Sequence, residues 1–515
     1  MDKKYVNLQE IPQEKFTLVQ EHKDIYDEAI KTKSISYFGD ALRRFVRNKA
    51  SVAAAIIIML IVVFALVAPF LTKYKVSDVN GVYAKARPKI KAFERTGFWD
   101  GSKTIRSNEK YLIYLNGISM AAEDYEGKGA SWEQGLESDY AVINKISDEY
   151  KAQGRTYRDI SVDSYYLVGF SYINITEQQY ENINKWEEET GKKVIYPMVD
   201  RAGAGPAADD ANYWFKLAQN GTPLDENDRP MEFAMVQKKG LTDNYLRDEN
   251  GEVRYYIVSN KTMRQVRVLN YTYYEYQNGF EPVHYFGSDA QGYDIFIRVA
   301  QGTRLSLALA VLVSIVNLTL GALYGAVQGY YGGAIDLILD RITDIISGMP
   351  FMVIATLFQL HLVIPGKVST FAGILFAFVL QGWIGTAARV RTQFYRFKNE
   401  EYILSARSMG AGDARLMFRH IFPNAIGTII TSSVLVIPGV ILSESSLSYL
   451  GIVNFNSKDL TSLGTLLGNG QGYLATDPHI LFVPAVIISL LMISFNLFGN
   501  GLRDAFNPAL RGSEE

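Results

Sequence analysis

Six stretches of this chain run almost without charge: Ser51–Leu71, Leu305–Tyr324, Phe351–Ile364, Phe371–Ala388, Ile426–Leu442 and Ile480–Phe498. A helix needs about 20 apolar residues to cross the hydrocarbon layer of a bilayer, so each reads as a membrane span. The third is short and is expected to extend back through residues 342–349. Between the first two spans lies a polar block, residues 72–285, rich in tyrosine and acidic side chains. Within it, 131–153 and 176–189 read as helices, and 253–258 and 266–274 as strands. Asn250-Gly251 is a turn signal ahead of the first strand. At roughly 200 residues the block is large enough to bury a core of its own. The pattern predicts a membrane α-helical protein with six transmembrane helices and an inserted α+β domain.

Charge orients that pattern. Arg43, Arg44, Arg47 and Lys49 precede the first span, and Arg389, Arg391, Arg396, Lys398, Arg407, Arg415 and Arg419 crowd the loop between the fourth and fifth. Arg503 and Arg511 follow the last. Basic residues accumulate on the cytoplasmic side, so both termini and the 389–423 loop are expected inside and residues 72–285 outside. The layout is then a cytoplasmic tail (1–49) with some amphipathic helix in 1–35, a first transmembrane helix (50–71), an extracellular insert (72–285) and a core of five further helices (286–511). The first span has about fifty residues before it, which reads as a signal anchor rather than a cleaved leader. Whole-chain averages mix two solvents: the net charge is −2 and the mean hydropathy −0.01. That balance gives no support to nucleic-acid binding. The chain has no cysteine, which excludes disulfides and thiolate chemistry.

The loop from Glu400 to Pro423 reads as two short helices hinged at a glycine. Gly410 and Gly412 permit the bend, Asp413 is placed to cap the second helix, and Pro423 is placed to begin a new apolar element. Such a pair between two spans has no lipid to bury itself in and is best explained as a docking surface. The chain contains no G-x-x-x-x-G-K-[ST] phosphate loop, so an ATP-driven process would require a separate ATPase. The glycines at 468–472 read as a flexible turn.

Several motifs then point one way. Ser405-Ala406, Gly410 and His420-Ile421-Phe422-Pro423 resemble the E-A-A-x3-G-x9-I-x-L-P loop of ABC importer permeases. Leu404 stands at the acidic position, Ser405 at the first alanine and His420 at the isoleucine. Residues 286–294 (F-G-S-D-A-Q-G-Y-D) with Gly302-Thr303-Arg304-Leu305-Ser306-Leu307 resemble the entry to the second span of peptide/nickel permeases, with Tyr293 replacing an arginine. Gly329-Tyr330-Tyr331-Gly332-Gly333, Leu447-Ser448-Tyr449-Leu450-Gly451 and residues 499–508 (G-N-G-L-R-D-A-F-N-P) are similar to further segments of that family. Together they cover 38–72 and 284–511 and resemble the C-type permease subunit of oligopeptide/dipeptide importers, with an enlarged first extracellular loop.

The resemblance implies the type I ABC importer fold in a bacterial cell membrane. It also implies a second, B-type permease chain, two ATPase subunits that hold ATP and magnesium, and an extracellular lipid-anchored peptide-binding protein. No cofactor is expected in this chain and no catalysis of its own. The coupling residues it implies are Ser405, Ala406, Met409, Gly410, Asp413, Arg415, Arg419 and Pro423, with Ser405, Ala406, Met409 and Gly410 forming the face that presses into the ATPase. Polar residues inside spans are costly in lipid, and Asn317, Gln359, Gln381, Ser443, Glu444 and Ser445 are the candidates for lining the peptide path; helix–helix hydrogen bonding is the competing explanation. Asp336, Asp340 and Asp344 share a helical face, which reads as a solvated helix end paired with basic neighbours rather than a cation site. The five histidines, His361 among them, show no metal-ligand spacing. A permease for nickel or another small solute remains open, and so does a membrane-anchored extracellular receptor that binds no ATPase.

Overall fold

The computed structural model describes residues 37–506, except 108, 153–154, 200–244, 261 and 456–459. The amphipathic tail expected in 1–35 and the end of the last family motif, Asn507-Pro508, lie outside the described residues. The chain opens with α1 (Tyr37–Arg47), which Asn48 separates from α2 (Lys49–Leu71). Asn48 is non-helical (φ −82°, ψ 98°) and its side chain accepts the Ser51 amide at 3.2 Å, the arrangement of a helix N-cap. The 23 residues of α2 extend about 35 Å, enough to span.

The insert follows as β1 (Ser102–Ser107), α3 (Glu109–Glu123), α4 (Trp132–Glu137), β2 (Ile143–Ile146), β3 (Tyr150–Ala152), β4 (Arg155–Asp163), β5 (Phe170–Thr176), α5 (Glu177–Thr190), β6 (Ile195–Tyr196), β7 (Tyr256–Asn260), β8 (Met263–Leu269) and α6 (Asn270–Asn278). They form two antiparallel four-stranded sheets. One has order β1-β4-β2 with β3 also on β4, and the other β5-β8-β6 with β7 also on β8. Register runs from Ser102 opposite Asp163 to Ser107 opposite Arg158, and from Phe170 opposite Leu269 to Thr176 opposite Met263. The core is strongly tyrosine-based, with Tyr83, Tyr165 and Tyr196 fully buried. The insert is therefore α+β, as its sequence predicts.

Three local expectations need correction. The helix expected over 131–153 stops at Glu137, even though Ser131 and Gln134 form a reciprocal capping box. The chain beyond it instead pairs with β4, because Val142 and Ile143 are buried by that pairing, and tertiary contact overrides a weak helical pattern. The strand expected over 266–274 ends at Leu269, where Asn270 begins α6, and the strand expected from Val253 begins only at Tyr256. The helix expected over 176–189 forms as α5, with Thr176 as its capping residue.

The ends of the insert are stitched together. Lys89 N donates to His284 O at 2.9 Å, Lys85 N to Asp289 O at 2.9 Å, Ser288 N to Ala86 O at 3.0 Å and Asn80 N to Gly292 O at 3.2 Å. Gly292 must be glycine here: its φ is +90° and a Cβ would lie 2.1 Å from Asn80 O. The F-G-S-D-A-Q-G-Y-D motif is thus the joint between insert and membrane core. Asp294 within it caps α7 through the Ile297 amide (2.9 Å) and holds buried His284 at 2.7 Å.

The core continues with α7 (Ile295–Tyr331), α8 (Gly333–Ser347), α9 (Phe351–Phe358) and a π turn at Gln359–Val363, then α10 (Thr370–Gly382), α11 (Ile384–Phe397), α12 (Glu401–Ser408), α13 (Asp413–Arg415), a π segment at Leu416–Ile421, α14 (Phe422–Val434), α15 (Val436–Tyr449), α16 (Leu463–Gly470) and α17 (His479–Phe506). Five helical runs are long and apolar enough to cross a membrane, and α8 with α9 makes a sixth if that pair is one span. The pair is bent by 72° at Gly348–Pro350, so the expected extension back through 342–349 is helical as far as Ser347 but meets α9 at a sharp break. Residues 468–472 are not a flexible turn: 468–470 end α16 and 471–473 form a 3-10 turn, and a Cβ at Gly468 would stand 2.9 Å from Ser448 O.

Packing decides which ends share a side. Ser51 Oγ, at the start of α2, donates to Leu497 O of α17 at 3.2 Å, and Phe45 packs edge-to-face on Phe498. Phe64, toward the end of α2, packs on Phe296 at the start of α7. The start of α2 thus lies beside the C-terminal half of α17, and the end of α2 lies beside the start of α7, where the insert joins the core. α7 lies against α11 along Gly321, Gly325 and Gly329, where a Cβ would stand 2.7, 2.3 and 2.7 Å from the carbonyl oxygens of Trp383, Ala387 and Arg391. Small residues every fourth position let two membrane helices touch backbone to backbone.

Candidate functional site

The segment 400–423 lies at the end of the molecule opposite the insert, beside the C-terminal turn of α7. α12 ends in a Schellman motif: Ala411 N donates to Ala406 O at 3.1 Å and Gly410 N to Arg407 O at 2.9 Å. Gly410 has φ +86° with open space around it, so its role is to reverse the backbone rather than to fit a neighbour. Beyond it α13, the π segment and α14 run on without a break. The π turn falls where Pro423 removes an amide and crowds the carbonyl of Arg419, four residues earlier. Pro423 stands in the first turn of α14, as expected, although α14 runs on from the π segment without a break.

Of the four residues expected to face outward, Ser405, Met409 and Gly410 are exposed and Ala406 is not. Ala406 is buried, packed with Ile403, Leu416, Met417 and Ile421 against Ala326, Tyr330 and Phe394. It anchors α12 to this chain and cannot press into a partner. Leu404, Ser405, Ser408 and Met409 face outward, and Met409 is 83 % exposed, a large apolar side chain at the tip of the segment. Leu404, at the position where the family pattern has an acid, is 46 % exposed. Arg415 and Arg419 are exposed, with no acidic partner among the described residues.

Asp413 does not cap. Gly412 is the N-cap residue of α13, and Asp413 Oδ1 instead accepts the Tyr330 hydroxyl at 2.6 Å. Arg407 Nη2 donates to the same hydroxyl at 3.3 Å, and Lys398 Nζ donates to the Gly329 carbonyl at 3.1 Å. Tyr330 is thus the link between α7 and both helices of the segment. The G-Y-Y-G-G motif contains it, but nothing in the local pattern separates Tyr330 from Tyr331; only the packing does. Nearby, Arg391 bridges Asp336 (2.6 Å) and Asp340 (2.8 Å), and Arg341 pairs with Asp344 (3.0 Å). The carboxylate row is paired with basic neighbours, and no group of metal-binding side chains occurs among the described residues.

The polar residues inside spans fall into separate places. Glu444 is buried: its Oε1 accepts from Ser462 Oγ (2.6 Å) and Ser448 Oγ (3.0 Å), and its Oε2 from Ser306 Oγ (3.3 Å). It ties α7, α15 and the N-cap of α16 together. Ser445 is buried beside Gly464, and Ser443 is half-buried. Asn317 is buried against Gly382, with a Cβ there 2.2 Å from its Nδ2. Gln381 donates to the carbonyls of Ile346 (2.8 Å) and Met349 (2.6 Å), at the α8–α9 break. Gln359, half-buried, opens the π turn after α9. Within this chain, Glu444 and Gln381 act as hydrogen bonds between helices.

Two family models match the sequence. One, described as the inner membrane component of binding-protein-dependent transport systems, matches residues 317–512; the other, the N-terminal transmembrane domain of oligopeptide transport permease C, matches 36–88. The oligopeptide transport system permease protein OppC of Bacillus subtilis is 40 % identical over 228 residues, 44 % of this chain and 72 % of its own length. The dipeptide permease protein DppC of the same organism is 37 % identical over 229 residues (44 % and 69 %), and OppC of Haemophilus influenzae 35 % over 232 residues (44 % and 71 %). Among solved structures, the inward-facing MetNI methionine ABC transporter covers 41 % of this chain and 96 % of its own, at 14 % identity and a TM-score of 0.33.

Proposed function

Because this chain belongs to the C-type permease subunits of oligopeptide/dipeptide ABC importers, we propose that it forms half of the peptide conduit and takes its drive from ATPase subunits docked on the 400–423 segment. The observation that carries this reading is the division of α12 into two faces. Ile403 and Ala406 are fixed within the chain, while Leu404, Ser405, Ser408 and Met409 stand outward on a segment that Tyr330 clamps to α7. A rigid clamp lets movement of the outer face reach the membrane helices instead of being absorbed by a loose loop.

In this reading the segment and both termini are cytoplasmic, in line with the basic loop residues, and the insert is extracellular. ATP and magnesium belong to two partner ATPases, and this chain contributes binding and movement without covalent chemistry. A second, B-type permease chain completes the conduit, and an extracellular lipid-anchored protein delivers the peptide. The insert is suited to receive that protein or to wall a vestibule over the path. Arg87, in the stretch leading into it, donates to Thr476 O at 2.7 Å, and Lys85 stands 4.5 Å over the Tyr473 ring, so the entry to the insert grips the corner between α16 and α17.

The test is co-purification of the ATPase subunits with this chain. Met409→Asp places a charge at the exposed tip and Gly410→Trp blocks the turn; both are expected to abolish ATPase recovery while the permease stays in the membrane. Undiminished recovery with both variants would overturn the docking assignment.

A further inference from the structure

We propose that the turn from Lys91 to Trp99 is a membrane foot of the insert, seating Phe93, Phe98 and Trp99 in the headgroup boundary of the bilayer beside α2 and α7. Phe93 and Phe98 are both exposed, the latter by 62 %, with their rings 6.1 Å apart. Trp99 packs on Phe98 at 5.2 Å and on Phe286 at 6.4 Å. Phe286 packs in turn on Phe64 of α2 at 6.4 Å and on Phe296 of α7 at 5.1 Å. A continuous run of rings thus leads from two membrane helices to an exposed edge of the insert.

Level decides what covers that edge. Phe64 stands roughly two turns before Leu71, where α2 ends, which places it about 10 Å below that end. Leu66, Phe70 and Leu71 above it are exposed, Phe70 by 86 %, so α2 still offers apolar surface to lipid beyond the ring contact. Three ring contacts separate Phe98 from Phe64, within reach of the headgroup layer, about 5–8 Å thick on each side of the hydrocarbon. The chemistry of the patch fits that layer. Tryptophan and tyrosine collect at the membrane–water boundary, and exposed Tyr285 accepts the Trp99 indole N–H at its carbonyl. Arg95 and Trp99 hold left-handed backbone (φ +60° and +54°), which residues other than glycine adopt only where their surroundings impose it. The turn is fixed from within: Thr96 Oγ1 donates to Phe93 O, Gly97 N to Asp100 Oδ2 and Ile90 N to Trp99 O, each at 2.7 Å. Backbone groups already bonded in this way cost less to bring to the edge of lipid. Continuity with the exposed apolar end of α2 selects the bilayer over a soluble partner.

The absence of cysteine makes the test direct. Phe98→Cys places a fluorophore on the exposed edge of the full chain, reconstituted into phosphatidylcholine bilayers, with Leu66→Cys on α2 as the lipid reference. The label at 98 should be quenched by brominated acyl chains and shielded from aqueous iodide, at a depth of about 5–10 Å below the headgroups. Ala92→Cys, exposed in the same turn, keeps both phenylalanines and reports on what they hold. In that chain, Phe93→Ser with Phe98→Ser should remove most of the quenching by lipid and open the label to iodide, while the same two changes leave the label at 66 in lipid. Iodide quenching at 98 would mean that water covers the edge, and shielding from both quenchers that a protein does; either result would overturn the proposal. Unchanged lipid quenching at 92 after the two serine substitutions would show that the rings do not seat the turn, and would overturn it as well.

Discussion

Individual side chains in the 400–423 segment divide into anchors and contacts. Ala406→Leu adds volume against Ile403 and Leu416 in a packed cluster and is expected to destabilise by about 1–3 kcal/mol, read as a lower melting temperature. Met409→Ser removes a side chain that is 83 % exposed and should change stability by less than about 0.5 kcal/mol while weakening ATPase recovery. Identical behaviour of the two variants would undo the two-face description. Tyr330→Phe removes the hydroxyl shared by Asp413 and Arg407 and is expected to lower uptake per ATP hydrolysed, with ATPase binding retained. In the insert, burial pushes the Glu281 carboxyl up, but the Lys91 hydrogen bond at 2.9 Å and the charges of Lys91 and Lys192 outweigh it, and the carboxyl is held below its usual value. A depressed carboxyl stabilises the fold above the unfolded value, about 4.3, and that contribution is lost as pH falls through the lower folded value. Glu281→Gln should flatten the acid limb of the insert's unfolding curve; an unchanged limb would remove this ion pair from the account. At this scale the motif residues were legible in the sequence, but the direction each points was not. Ala406 and Met409 both look like contact residues in a string, and burial alone separates them.

Helices and their junctions carry the next level. The Gly321, Gly325 and Gly329 stripe is visible in the sequence as a four-residue repeat, but which helix it meets is not. A Cβ at Gly325 would stand 2.3 Å from Ala387 O, so Gly325→Leu should separate α7 from α11. The expected result is loss of folded permease from detergent extracts, whereas Leu323→Ala, an exposed change on the same helix, should leave yield unaltered. The break between α8 and α9 was foreshadowed only by Gly348 and Pro350. Hydropathy blurred it into one span because the chain on either side of the break, 345–358, is apolar. Gln381, read from sequence as a candidate for lining a path, donates instead to the carbonyls of Ile346 and Met349 at the break and so ties α10 to it. The misread helix over 131–153 has the mirror-image cause: its local pattern is helical enough to cap, and the pairing with β4 claims the rest.

At the level of the whole molecule, the insert and the transport core are joined but separately built. Lys89 and His284 are hydrogen-bonded neighbours, so the insert enters and leaves at one point, as inserted domains do. Joining residue 89 to 284 through a short glycine linker is expected to leave a permease that still reaches the membrane and recovers its ATPases, with peptide uptake reduced. Uptake kinetics equal to the full chain would exclude a role for the insert in delivery. What the sequence determined by itself was the class of protein: long uncharged runs can only be satisfied in lipid, a polar block of this size must fold apart from them, and ordered motifs marked a transport family. Those are properties of composition and spacing, which solvent reads directly. The tertiary structure decided that α2 starts beside α17, which face of α12 is free, where α8 and α9 part, and what Glu444 and Tyr330 hold. Each of these depends on contacts between residues far apart in the chain, and a periodic pattern carries no record of its partner.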